Sequence, residues 1–219
     1  DLKSLNNVRI KNERLLCFYN SIIYNGKVLS NDTYKDESKV KYYDVNELIA
    51  AKEGEAPAVT ELDIIQKQKI NFVLAKDGNV YTLESADNGC NIVKIKNDFT
   101  LEKVFANFQP AKGPYHSSPT IGMVASETEN IIYLVSTDGA IYKYILGDSD
   151  SLKAPFIAAE SGVSITAPLQ LNQQSGELYV TYTEERKDES KIVVYSKDGK
   201  VLHTVDCGES VPSQILFNN

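Results

Sequence analysis

The sequence predicts an all-β fold built from about four copies of one small antiparallel sheet, and three observations carry that expectation. The pentapeptide Lys-Asp-Glu-Ser-Lys occurs twice, at 35–39 and 187–191, each time ahead of a β-branched residue and an aromatic-containing run, "KDESKVKYYDV" and "KDESKIVVYSK". Asp-Gly stands between an apolar run and an alternating run at Asp77-Gly78 and at Asp138-Gly139. Short strand-like segments opened by proline recur at Pro57, Pro119, Pro168 and Pro212. The composition, 13 Tyr and no Trp, leans toward β structure.

The first copy extends leftward from its pentapeptide, where Gly26 in "NGKVLSNDTYKDESK" aligns with Gly176 in "SGELYVTYTEERKDESK" once the loop is given a two-residue gap. Each reads as strand, polar hairpin tip, strand. The next two copies, "QKINFVLAKDGNVYTLE" from Gln68 and "ENIIYLVSTDGAIYKYI" from Glu129, share the phase without the pentapeptide. Asp-Gly between such runs predicts two-residue type I′ turns, which need positive φ at both central positions. "VNELIAAKEG" from Val45 predicts a helical turn or two.

Proline is tolerated at the first position of a strand, where its missing N–H stays out of the ladder. The unit therefore reads as a Pro-led strand, a strand, a turn, a strand and usually a fourth, such as "NIVKI" at Asn91 or "KVLHTV" at Lys200. Strand starts near Lys27, Lys69, Asn130 and Glu177 are separated by 42, 61 and 47 residues. A period of about 40–50 residues fits four-stranded blades. A small sheet of this kind cannot bury both faces alone and must stack on its own copies. The expectation is a single β-propeller domain over 1–219, with blades at about 14–50, 57–106, 119–159 and 163–206 and a closing strand at 213–217 that pairs with the N-terminal blade. The chain is then a small closed ring or part of a larger one. A β-sandwich is the alternative, because the 61-residue step and the loop 107–118 break the period.

At 219 residues and 42% hydrophobic, the chain is long enough for a well-buried core. The net charge of −7 and scattered Lys and Arg offer no basic stripe for a phosphate backbone, which excludes nucleic acid as the expected partner. No stretch approaches the roughly 18 apolar residues of a membrane span, and "DLKSLNNVRIKNERLL" has neither the apolar centre nor the cleavage site of a signal peptide. Cys17, Cys90 and Cys207 lack CxxC spacing and read as three thiols, with a Cys17–Cys207 bridge as the alternative.

The segment "SSPTIGMVASETENIIYLVSTDGAIYKYI" from Ser117, with its Pro-led strand, apolar strand, Asp-Gly and "IYKY", resembles the repeat of quinoprotein-like (PQQ-type) β-propellers, and "INFVLAKDGNVYTLESADNG" is similar. The resemblance covers about 160 residues in degenerate copies and implies the propeller architecture. Quinone-binding members carry tryptophans that dock the blades and shelter the cofactor; this chain has none, so no cofactor is expected. The family also includes outer-membrane assembly scaffolds and surface proteins, which implies an extracytoplasmic site, periplasmic or at the cell surface, with the cytoplasm as alternative.

Candidate chemistry is sparse. "GPYHSSPT" gathers Tyr115, His116, Ser117 and Ser118 in a loop just before an inner strand, where propellers present groups to the central channel. No G-x-S-x-G elbow accompanies the serines, so the loop reads as a ligand contact rather than a nucleophile. Thr60, Thr120, Thr166, Gln170 and Gln214 on the Pro-led strands would line a polar channel mouth if those strands are innermost. "GDSDS" at 147–151 lacks the EF-hand pattern and reads as a solvated turn, so no metal is expected. His203 reads as a solvent-facing strand position. The expected binding residues are Tyr115, His116, Ser117, Thr120, Thr166 and Gln170, with no catalytic residue. The expected function is a non-catalytic scaffold or binding module that takes a protein or polar ligand at a propeller face. The alternatives are a glycan or small-ligand binder and a fragment of a propeller enzyme.

Overall fold

The structure, a computed structural model, describes residues 21–31, 38–51, 57–66, 72–111, 122–184, 189–212, 215 and 217. The chain divides into two compact units, residues 1–69 and 70–219. The first unit holds one four-stranded antiparallel sheet in chain order: β1 (Ile22–Tyr24), β2 (Lys27–Asn31), β3 (Ser38–Asp44) and β4 (Val59–Gln66). Asn25 and Gly26, at φ 47° and 70°, join β1 to β2 by a two-residue turn of the kind that matches strand twist. Of the first pentapeptide, Ser38 and Lys39 open β3, and its other three residues lie among 32–37, outside the described residues.

Helix α1 (Val45–Ala50) supplies the predicted helical turn. The Asp44 carboxylate accepts from the backbone N–H of Asn46 at 2.8 Å and of Glu47 at 3.3 Å, and Lys27 Nζ donates to its other oxygen at 2.7 Å. That cap satisfies N–H groups the helix cannot. Leu48 is thereby packed with Val28 and Tyr43. The Pro57-led segment was expected to open the second blade; it is instead β4, paired with β3 through Tyr42–Thr60 and Tyr43–Val59. The helix carries the chain off the end of β3, and the return strand completes the first sheet rather than starting another.

The second unit holds three sheets, again in chain order. The first is β5 (Val73–Leu74), β6 (Val80–Ala86), β7 (Gly89–Ile95) and β8 (Leu101–Phe108). The next is β9 (Met123–Ala125), β10 (Ile131–Val135) and β11 (Ile141–Ile145), with Ile157 bridging to Ile141 at the outer edge. The last is β12 (Val163–Ile165) and β13 (Gln170–Leu171), both paired with β14 (Leu178–Glu184), followed by β15 (Ser190–Tyr195) and β16 (Val201–Gly208). Of the second pentapeptide, Ser190 and Lys191 open β15 and Glu189 just precedes it, while 185–188 lie outside the described residues.

The Asp-Gly turns are not the two-residue type expected. Asp77 and Asp138 keep negative φ, and only the glycines are left-handed, Gly78 at 75° and Gly139 at 85°. Gly78 N–H donates to Ala75 O at 2.9 Å while Ala75 N–H donates to Asn79 O at 3.0 Å. This is a three-residue loop, a type I turn closed by a left-handed residue. Its carboxylate explains the preference: Asp77 Oδ1 accepts from Asn79 N–H at 3.1 Å, and Asp138 Oδ1 from Ala140 N–H at 3.1 Å. The same turn recurs at Lys96–Thr100 and Ser196–Lys200. In the former, Phe99 at φ 64° occupies the place its three sister turns give to glycine.

Sheet β9–β11 lies between its two neighbours in this unit. Ile131, Tyr133, Val135 and Ile141 join a core with Ile165, Leu178, Val180, Tyr182, Val193 and Tyr195 of the last sheet. Ile132, Leu134 and Tyr144, with Met123 and Ala125, join a second core with Val73, Tyr81, Leu83 and Ile92 of the sheet before. Alternation along β10 sends successive side chains to opposite faces, and both faces are apolar and covered. Three stacked sheets of this kind are a repeat array, and a two-layer sandwich does not accommodate them.

Two turn glycines separate backbone strain from crowding. A Cβ on Gly139 meets nothing within 4 Å, whereas on Gly199 it meets Phe156 at 3.2 Å. Gly139→Ala is expected to cost about 1–2 kcal/mol, the penalty of left-handed backbone alone, and Gly199→Ala measurably more. Chemical denaturation of the two variants checks the order.

Candidate binding site

Of the six expected binding residues, Tyr115, His116, Ser117 and Thr120 lie outside the described residues, as does Gln214. Thr60 is exposed on β4, the last strand of its sheet, and so is not on an innermost strand. Thr166 and Gln170 flank the break between β12 and β13, where Pro168 has no N–H to offer the ladder. Thr166 N–H still reaches Thr181 O at 3.2 Å, and its hydroxyl lies 2.8 Å from that of Thr183. Gln170, opposite Tyr179, accepts from Ile215 N–H at 3.1 Å through Oε1.

These contacts place Thr166 and Gln170 on one face of the last sheet, with Tyr179, Thr181 and Thr183. Leu178, Val180 and Tyr182 occupy the opposite, core face. Chain beyond β16 returns over the polar face. Thr181 Oγ1 donates to Pro212 O at 3.4 Å, the Ser190 hydroxyl donates to Ser210 O, and the rings of Tyr179 and Phe217 meet edge to face at 5.0 Å. Ile215 and Phe217, the described part of the segment expected as a closing strand, thus contact the last sheet.

Gln173 ties this sheet to its neighbour. Gln173 donates through Nε2 to Ala125 O at 3.0 Å and accepts at Oε1 from Glu127 N–H at 2.8 Å. Lys197 adds an ion pair with Glu129 at 2.7 Å, and Lys143 Nζ sits 5.0 Å over the Phe156 ring. Nothing in "NQQSG" distinguishes the bridging glutamine from a solvated turn residue.

A shallow groove of about 400 Å³, also unforeseen, is lined by Asn79, Lys94, Lys96, Asn97 and Asp98 where two of the Asp turns meet. Its lysines are paired, Lys94 with Asp77 at 2.9 Å and Lys96 with Glu102 at 2.9 Å, and Tyr81 donates to Asp77 at 2.8 Å. Asp148 of the "GDSDS" turn caps the short 3-10 helix Ser149–Leu152 by accepting from Asp150 N–H, and Asp150 pairs with Lys153 at 2.8 Å. Among the described residues, no three of His, Cys, Asp and Glu cluster as a metal set. His203 is exposed on β16 as expected. Cys90 and Cys207 are free thiols, and Cys17 lies outside the described residues.

Electrostatics follow these contacts. Partial burial pushes the Asp77 carboxyl up, but hydrogen bonds from Lys94, Tyr81 and Asn79 prevail and hold it below the ordinary range. Thr100 lowers Asp98 through its hydroxyl and backbone N–H; the Ser136 hydroxyl and Ala140 N–H lower Asp138; Lys197 lowers Glu129. Burial pushes the Cys90 thiol up to about 11 and the Tyr133 phenol up to about 12. Burial raises Tyr182 further still, helped by its hydrogen bond with Tyr195 at 3.1 Å.

Comparison with known proteins places this geometry. A family model described as a domain of unknown function (DUF5074) matches residues 22–218. No curated protein sequence matches the chain. Among solved structures, puromycin hydrolase is similar over 86% of this chain and 28% of its own, at 13% identity and a TM-score of 0.57. Prolyl oligopeptidase B from Galerina marginata is similar over 85% of this chain and 27% of its own, at 12% identity and a TM-score of 0.54. The chain thus spans about a quarter of the length of these structures. The likeness shows the fold, an all-β propeller of antiparallel blades. Among the described residues no helix is long and apolar enough to cross a membrane.

The lowered carboxylates give the stability a direction with pH. Each contributes fully above its unfolded pKa, near 4, and the contribution is lost as pH falls through the lower folded value. Urea midpoints are expected to stay level from pH 7 to about 5 and to fall below about 4. In Asp138→Asn the fall should be shallower; an identical slope would show that the Ser136 and Ala140 contacts do not favour the charged form.

Proposed function

The chain belongs to the DUF5074 family, and from that premise we propose that it is a non-catalytic β-propeller serving as an interaction scaffold or ligand-binding module at the cell envelope or surface. One observation carries the reading. The perturbed carboxylates Asp77, Asp98, Asp138 and Glu129 are each engaged by a turn N–H, a hydroxyl or a lysine. They hold turns and join sheets, where an acid or base would have to be presented to a substrate.

The enzymes with similar folds do not transfer their activity, since the match covers only about a quarter of their chains at 12–13% identity. The kinship to quinoprotein-like repeats is part of the proposal and rests on "SPTIG" and "IIYLVSTDGAIYKY". With no Trp in the chain, the reading includes no quinone. Tyr115, His116, Ser117 and Thr120 join Thr166 and Gln170 as the proposed partner contacts. A second reading, a polar ligand such as a glycan, is favoured by the groove with Asn79, Asn97 and two lysines.

Affinity capture from envelope fractions, run beside ester and peptide hydrolysis assays, tests the proposal. The native chain should retain a protein partner that the Tyr115→Ala/His116→Ala variant loses, and neither should turn over substrate. Hydrolysis abolished by His116→Ala would replace the scaffold reading with an enzymatic one; saturable retention on a glycan array, lost in Asn79→Ala/Asn97→Ala, would favour the groove.

A further inference from the structure

The three sheets with four strand positions in regular succession end on β4, β8 and β16, and these outer strands differ in how they meet solvent. An outer strand has unpaired N–H and C=O groups along one side, and natural edges are guarded by charge, bulges or twist. β4 carries Glu61 and Asp63, which pair with Lys41 and Lys39. β8 carries Glu102 and Lys103, and Asn107 turns its end at φ 62°.

β16 reads Val-Leu-His-Thr-Val-Asp-Cys-Gly, with a single charge, Asp206, and it presents Val201, Leu202 and Val205 at 58, 43 and 51% exposure. Register shifts bound its pairing with β15, yet His203–Asp206 run unbroken against Val194–Lys191 between them. Among the described residues, β15 is its sole strand neighbour. The strand is also polar along its length: Lys200 stands just before it, Asp206 near its end and Glu209 just after. An antiparallel copy centred on His203–Asp206 sets Lys200 of each chain opposite Glu209 of the other and His203 opposite Asp206, whereas a parallel neighbour stacks like charges. Opposite charges at facing or diagonal positions favour such pairing.

We propose that β16 is a strand-addition surface whose occupant is β16 of a second copy, the two edges pairing antiparallel across His203–Asp206. Val201, Leu202 and Val205 are then partly covered by the second copy, and the unguarded edges are closed. This goes beyond partner binding at the propeller face and does not depend on it.

Sedimentation equilibrium of the full chain over a concentration series tests the pairing. The native chain should show a monomer–dimer equilibrium. Val205→Lys, at an exposed position and verified as folded by circular dichroism, should weaken it by at least about tenfold. Glu209→Lys should weaken it likewise, and Lys200→Glu/Glu209→Lys should restore it, which a merely structural effect would not do. A native chain that stays monomeric throughout overturns the proposal. So does a dimer indifferent to Val205→Lys, or a charge exchange that fails to rescue.

Discussion

Five consecutive apolar residues, Ile131–Val135, leave a strand with no face to turn to water. A half-buried strand would alternate apolar and polar; this one must be covered twice. Ile131, Tyr133 and Val135 meet the last sheet and Ile132 and Leu134 the sheet before, so one short strand fixes the order of three sheets. Full burial of such side chains contributes roughly 1.5–3 kcal/mol each. Much of the surrounding detail serves to deliver the sheets to this strand: the Gln173 bridge and the Lys197–Glu129 pair from the last sheet, and Ala111 N–H, in the chain leaving β8, donating to Val135 O at 2.8 Å.

A second device is repeated more often than the sheets are. Among the described residues of 70–219, four hairpins use the same three-residue turn, and each places an aspartate at its second position: Asp77, Asp98, Asp138 and Asp198. In the first three, the carboxylate accepts from the N–H two residues on. In the fourth, the Ser196 hydroxyl accepts from Asp198 and Lys200 N–H instead. Because three of the lowered carboxylates, Asp77, Asp98 and Asp138, are turn-formers, perturbed acidity in this unit points to architecture before chemistry. That inversion of the usual inference is what favours a binding role.

Repetition, strand content and the strand that each pentapeptide leads into were legible in the sequence, because they depend on local pattern. The turn type was not, because Asp-Gly suits both loop lengths; the deciding fact is that Asp77 and Asp138 cap the N–H two residues on from negative φ. A third Asp-Gly, Asp198-Gly199, closes the same kind of turn, and the Phe99 turn is hidden by the absence of glycine. Pro57 misled for a related reason. A proline marks the start of a strand but not its sheet, and only the pairing of Thr60 with Tyr42 assigns β4 to the first. Of the expected site, Thr166 and Gln170 do share a face, which strand parity predicts. The roles of Gln173 and Ile215 depend on contacts between distant segments that no local pattern encodes.

Native-state hydrogen exchange on the backbone amides addresses the central claim most directly. If β10 is the twice-covered centre of residues 70–219, its amides should exchange only through global unfolding and share the largest protection with β6 and β14 on either side. Exchange of Ile131–Val135 as fast as that of the exposed strand β16 would contradict the stacking, and with it the order of sheets on which the account is built.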